Sequence, residues 1–216
     1  MSLLDFARGP GLQISLGILV FGCMWRLVGI LVLNWQRRDT VPVASRAGGA
    51  LRTLFNRFLP RPGFGSGVRT GYILGYISHI GLAIVVFGGV FHILVIKELS
   101  GLSWPALPPA IITGAAVAAL VAFIALLARR LTDPVLRLLS DWDDYFSWLV
   151  VVLPLLTGLV AGTGLGASYA TLLALHILSV ELLFIWLPFG KLFHAFSFAP
   201  SRAWTGANYG RRGVKA

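Results

Sequence analysis

Five apolar stretches dominate this sequence, running approximately from Gly11 to Asn34, Thr70 to Ile96, Pro109 to Leu127, Tyr145 to Val160 and Ser168 to Leu187. A helix needs about 20 largely apolar residues to cross a bilayer. Ordinary strands are far shorter, so each stretch reads as a membrane-spanning helix once its flanks are counted. The expected fold is an all-α integral membrane protein, a bundle of five transmembrane helices forming a single domain over residues 1–216, with the fifth helix extended to about residue 196. Only 12% of the 216 residues are charged, roughly half the share in a soluble domain. Little length remains for a separate soluble catalytic domain. The first stretch outruns a secretory signal core and no small-residue cleavage site follows it, so it reads as a retained helix.

The few charges are unevenly placed. A basic loop over residues 36–69 carries Arg37, Arg38, Arg46, Arg52, Arg57, Arg61 and Arg69; the loop after the third helix carries Arg129, Arg130 and Arg137. Lys191 and a basic tail over residues 197–216 with Arg202, Arg211, Arg212 and Lys215 complete fifteen of the 18 basic residues. Five alternating helices put all three segments on one side, and the positive-inside bias makes that side cytoplasmic, with the N-terminus outside. The net charge of +10 then reads as a face for a protein partner or anionic lipid rather than for nucleic acid. Trp35, Tyr72, Trp104, Trp142, Tyr145 and Trp148 fall near helix ends, as interfacial anchors do. The glycine-rich run from Ala161 to Gly166 follows no strand and reads as a tight external turn.

Cys23 is the one cysteine, so neither a disulfide framework nor a thiolate-held cluster is available. A metal would have to use histidine. All four histidines fall in two spans: His79 and His92 in the second, His176 and His194 in the fifth or its extension. A single histidine in a span reads first as a hydrogen-bonding residue at a helix contact, but ionisable residues at membrane depth are functional by default. Because the two helices run oppositely, His79 lies level with His194 and His92 with His176. Opposed neutral imidazoles supply both axial ligands of a haem iron, and the arrangement offers two such sites. Zinc is the weaker reading, since the pairs lie at different depths.

Spacing treats the two helices differently. His176 and His194 are eighteen residues apart, five turns of one continuous helix and about 27 Å along its axis, on a shared face. His79 and His92 are thirteen apart, which in an ideal helix leaves them roughly 140° apart in azimuth. The Gly88-Gly89 pair just before His92 is where a kink or π-bulge would change that angle.

These residues resemble the gamma, or cytochrome b, subunit of respiratory nitrate reductase and its wider family of di-haem membrane subunits. The similarity follows the same five-helix order. It is carried by Trp25-Arg26, by Ser78-His79-Ile80-Gly81, and by Ala128-Arg129-Arg130-Leu131-Thr132-Asp133-Pro134. Most specific are Leu175-His176-Ile177 and Leu187-Pro188-Phe189-Gly190-Lys191-Leu192-Phe193-His194. The resemblance implies two b-type haems, with His79 and His194 at the inner one and His92 and His176 at the outer one. It also implies quinol oxidation near the outer haem and electron exit to a cytoplasmic iron–sulfur subunit and its catalytic subunit, in a bacterial or archaeal cytoplasmic membrane. Where the family pattern has its second histidine ten residues after the first, this chain has Gly89, with His92 three residues on. Related b subunits serve nitrate reductase-like and heterodisulfide-reductase-like or sulfur-redox complexes.

Other polar residues fit into this reading. Lys97 and Glu98 follow His92 at the outer boundary, where one would hydrogen-bond a quinone oxygen and the other accept a released proton; the plainer reading is a solvated loop. Arg26 either pairs with a haem propionate or snorkels to the interface. Glu181 reads as an interhelical hydrogen-bonding group or a step in a proton path. Asp141, Asp143 and Asp144 read as a solvated turn or a partner-docking patch. The rival from another class is a haem-free membrane protein, either a small transporter with histidines in a proton path or an assembly scaffold. A transporter would show repeats or helices broken at matching positions.

Overall fold

The computed structural model describes residues 2–35, 44–56, 58, 66–164 and 166–214. Arg37, Arg38, Arg57, Arg61 and Lys215 lie outside the described residues. Ten α-helices occur among those described: α1 (Leu3–Phe6), α2 (Leu12–Trp35), α3 (Arg46–Asn56), α4 (Ser66–Gly88), α5 (Val90–Ser100), α6 (Pro109–Thr132), α7 (Pro134–Leu138), α8 (Trp142–Thr163), α9 (Tyr169–Trp186) and α10 (His194–Arg211). No strand is present among them. Five helical segments are long and apolar enough to cross a membrane: Leu3–Val32, Val68–Gly88, Pro109–Thr132, Trp142–Thr163 and Tyr169–Trp186. The five-span expectation therefore holds.

The chain forms two compact units, Met1–Leu12 with Gly65–Leu183, and Gln13–Phe64 with Phe184–Ala216. In the first unit α4 packs against α6 through small residues. A Cβ on Gly81 would lie 2.8 Å from both the Ala115 carbonyl and the Ala119 Cβ, so the glycine lets the two backbones approach. Ala116, Ala119 and Leu155 form the adjoining buried cluster, with Leu82, Val85, Phe123 and Leu159 packed around it. Trp148 donates its indole N–H to the Phe123 carbonyl at 2.8 Å, which joins α8 to α6 beyond a surface-anchoring role. In the second unit α3 lies against α10, and a Cβ on Gly49 would sit 2.8 Å from Gly210 Cα.

The second span breaks at the Gly88-Gly89 pair, where a kink was expected: Gly89 is extended (φ −73, ψ 129) and starts α5 afresh. Three other expectations need correction. The fifth helix does not continue to residue 196. It ends at Trp186, whose carbonyl accepts from Phe189 and Gly190 N–H at 2.9 and 3.0 Å. Pro188 has no N–H to carry the ladder on, and a 3₁₀ turn (Lys191–Phe193) precedes α10. The five-turn spacing of His176 and His194 therefore does not apply. The 36–69 segment contains a helix, α3, and the 197–216 tail is helical to Arg211.

The acidic set before α8 is built into the fold. Asp141 and Asp144 form a reciprocal capping box, satisfying N-terminal N–H groups that the helix itself leaves unpaired. Asp144 also pairs with Arg130 at 3.0 Å, and Asp143 accepts from Ser147 Oγ at 2.6 Å. These contacts give the three carboxylates structural partners, with Asp141 exposed in the turn before α8.

Candidate functional site: a histidine pair at a helix break

The break between α4 and α5 would expose backbone carbonyls at membrane depth, where each unsatisfied group costs several kcal/mol. Three donors from nearby chain fill it. Trp104 Nε1 donates to the Phe87 carbonyl at 2.6 Å, Leu107 N–H to the Gly88 carbonyl at 2.9 Å, and His92 Nδ1 to the Val85 carbonyl at 2.9 Å. The third bond spans seven residues, a separation no continuous helix closes in this way. It fixes both the orientation and the tautomer of His92. A carbonyl accepts only, so Nδ1 carries the proton and Nε2 the lone pair.

The break turns His92 toward His176. Their ring centroids are 6.2 Å apart, with the planes inclined by 45°. Rings at this separation are in ordinary aromatic contact. His176 Nδ1 lies 3.2 Å from Thr157 Oγ1. Thr157 has the Leu153 carbonyl at 2.8 Å for its own proton, and Ser179 Oγ has the His176 carbonyl at 2.6 Å. Thr157 Oγ1 is thus placed to accept from Nδ1, and again Nε2 carries the lone pair. A second group that holds one ring nitrogen as a donor and presents the other is the usual setting of a metal-binding histidine.

Glycine makes room on both sides. A Cβ on Gly158 would lie 3.1 Å from His176 Cε1, and one on Gly89 would lie 3.1 Å from His92 Nδ1 and 2.9 Å from the Val85 carbonyl. Gly89 therefore serves two ends: it permits the break, and it leaves the space the His92 ring occupies. Among the described residues no three of His, Cys, Asp and Glu cluster as a metal group.

The other two histidines repeat the local pattern. His79, in the first unit, is exposed and has Nδ1 on the Gly75 carbonyl at 2.7 Å. His194, in the second, is exposed at the start of α10 with Nδ1 on the Lys191 carbonyl at 2.9 Å. Each bond again sets the tautomer with the lone pair on Nε2.

Arg26 has a role that neither sequence reading supplied. Its guanidinium donates to the Pro188 carbonyl at 2.9 Å and stands 4.4 Å from the Phe193 ring centre, so it braces the turn leading to His194. A Cβ on Gly22, one helical turn earlier, would lie 2.7 Å from Pro188 Cβ, so the glycine lets the turn seat against α2. Lys97 and Glu98 are exposed on the last turns of α5, on helix rather than loop. A groove of about 430 Å³ in the same unit is lined by Ile80, Phe87, Trp104 and Leu107 among others, and neither Lys97 nor Glu98 borders it.

Glu181 is 6% exposed. A Cβ on Gly11 would lie 2.8 Å from both its carboxyl oxygens, and Oε1 has no hydrogen-bond partner among the described residues. Gly11 closes a π-helical turn (Ala7–Gly11) in which Gly9 departs from helical angles and Pro10 removes a donor. Sequence reasoning passed over Thr157, Ser179, Gly158 and the Trp104 clamp. The available signal was two hydroxyls in the apolar runs of the fourth and fifth spans.

No family model matches the chain. A protein of Nitratidesulfovibrio vulgaris (strain Hildenborough) is 30% identical over 210 residues, which cover 94% of this chain and 92% of that protein. With similarity across nearly all of both sequences, the chain belongs to one family with the Nitratidesulfovibrio vulgaris protein.

Proposed function

We propose that this protein is a di-haem cytochrome b subunit of a bacterial or archaeal cytoplasmic membrane, passing electrons between the quinone pool and a peripheral iron–sulfur oxidoreductase. The observation that carries the reading is the His92–His176 pair, 6.2 Å apart, with each Nδ1 held by a partner. His79 and His194 are the second ligand pair in this proposal, supported by the same Nδ1-to-carbonyl arrangement. Bound haem would supply one-electron redox chemistry, and the protein supplies ligands, an apolar surround and electrostatics.

The chain's own residues account for positioning. Val85 and Thr157 hold the two imidazoles in one tautomer, so no proton must move before Nε2 can ligate. Arg26 fixes the turn that carries His194. Lys97 and Glu98 remain the proposed groups for quinone binding and proton acceptance. The cytoplasmic orientation of the basic segments rests on their charge. Packing of α3 on α10 supports their lying on one common side, since the segment after the first span and the segment after the fifth can meet only there. The basic segments, the one with Arg129 and Arg137 and the one in α10, are the proposed docks for the iron–sulfur subunit, and the catalytic subunit follows from that partner.

The helix break is the one feature that favours a transporter instead. Its Val85, Phe87 and Gly88 carbonyls each accept from a protein donor, which closes the break with the chain's own groups. Absorption spectra of the purified protein, oxidised and dithionite-reduced, test the proposal. A reducible b-type spectrum with about two haems per chain is the expected result. Protein purified from haem-replete cells with no such spectrum overturns it.

A further inference from the structure

Helix α3 presents its apolar side away from the helix it packs on. Gly49 and Thr53 face α10: a Cβ on Gly49 would strike the Gly206 carbonyl and lie 2.9 Å from Gly210 N, and a Cβ on Gly206 would strike Thr53. The Gly206-x-x-x-Gly210 spacing lets the two backbones touch. Thr53, donating to the Gly49 carbonyl at 3.0 Å, is 1% exposed. At about 100° per residue, Leu51 and Phe55 lie roughly 160° around the axis from Gly49 and Thr53. They are 58% and 70% exposed. Ala47 and Leu54 widen this stripe; Arg52 flanks it, and Arg46, in the first turn, lies nearer the α10-facing side.

A soluble helix buries its apolar stripe against its neighbour; α3 does the opposite. Aromatic and aliphatic residues on one face with an arginine at its edge are the arrangement of a helix lying in a bilayer interface, where guanidinium groups reach lipid headgroups. The chain around it restricts what else could cover the stripe. α3 begins ten residues after α2 and ends nine before α4, so both ends return promptly to membrane spans. Residues 36–69 and 191–216 together hold twelve basic residues and one acid, Asp39, a balance that favours anionic headgroups.

We propose that α3 is an interfacial membrane-binding element, with Leu51 and Phe55 immersed in the leaflet on its own side and Arg46 and Arg52 on anionic phospholipid headgroups. The proposal does not depend on haem. The test places a spin label on the full chain, in a Cys23→Ala background, at Phe55→Cys or at Asn56→Cys on the polar side. The protein is reconstituted in nanodiscs of phosphatidylcholine with or without phosphatidylglycerol. Both labelled positions are exposed, Phe55 on the side away from α10 and Asn56 at the last residue of α3. The label at 55 is expected to collide with oxygen and be shielded from a water-soluble nickel chelate in phosphatidylglycerol discs, and the label at 56 to show the reverse. Arg46→Gln with Arg52→Gln should reduce the shielding at 55. Equal nickel access at 55 and 56 in phosphatidylglycerol discs overturns the proposal and leaves the stripe to a protein partner. Shielding unchanged by the double arginine variant overturns the headgroup assignment.

Discussion

Thr157→Val removes one hydroxyl beside His176 while keeping side-chain shape, and it separates a positioning role from ligation itself. The hydroxyl stands 3.2 Å from His176 Nδ1, 2.9 Å from Ser179 Oγ and 2.8 Å from the Leu153 carbonyl. Ser179 keeps the His176 carbonyl at 2.6 Å, so its own proton stays satisfied. His176 loses its hydroxyl acceptor. Loss of such an outer partner typically costs 10- to 100-fold in metal affinity. Because the Pro154 carbonyl also borders the imidazole and can take over part of the bond, the effect should fall near tenfold, or about 1.4 kcal/mol. The assay is the rate of haem transfer from purified protein to an excess of apo-globin, with Thr157→Ser as the variant that keeps the hydroxyl. Valine should release one of two haems about tenfold faster, and serine should behave as wild type. Identical release from wild type and Thr157→Val, alongside loss of a haem in His176→Ala, would refute the positioning argument.

Three further outcomes follow from the geometry. Gly89→Ala places a Cβ 2.9 Å from the Val85 carbonyl and 3.1 Å from His92 Nδ1, so it should lower haem content by about one per chain while detergent-solubilised yield is maintained, read by pyridine haemochrome against protein mass. Trp104→Phe leaves the Phe87 carbonyl without its 2.6 Å donor and should cost about 1–3 kcal/mol, seen as a lower thermal midpoint in detergent. Gly206→Ala pushes a methyl into Thr53 and the Gly49 carbonyl. Overpacking of this kind costs about 1–3 kcal/mol, and faster amide exchange in α3 and α10, with none in α6 or α8, is the expected signature.

Much of the architecture could be read directly. Long apolar runs mark spans whatever they pack against, because the bilayer requires every backbone group to be satisfied within the helix. All five appear with the expected order. The histidine set was also visible, since ionisable residues stand out in an apolar alphabet. The ideal-helix arithmetic went wrong where glycine and proline interrupt the ladder: at Gly89, which restarts the helix before His92, and after Trp186, where the fifth helix stops. Phase cannot be carried through a break by counting residues. Arg26 was recognisable as unusual, yet its partners are carbonyls 162 and 163 residues away, and no local pattern points to them.

Residue types and their order therefore determined a five-span membrane protein with four histidines in or shortly after its second and fifth spans. Those properties are sums over local solvation, and each residue contributes wherever its neighbours sit. The ring contact of His92 with His176 meets an expectation already drawn from the order of the spans; tertiary structure alone decided that Val85 and Thr157 set their tautomers and that α3 turns its apolar stripe away from α10. Each of these depends on the angle at which two segments distant in sequence come together. That angle is set by glycines whose missing side chains leave room for a ring or a backbone.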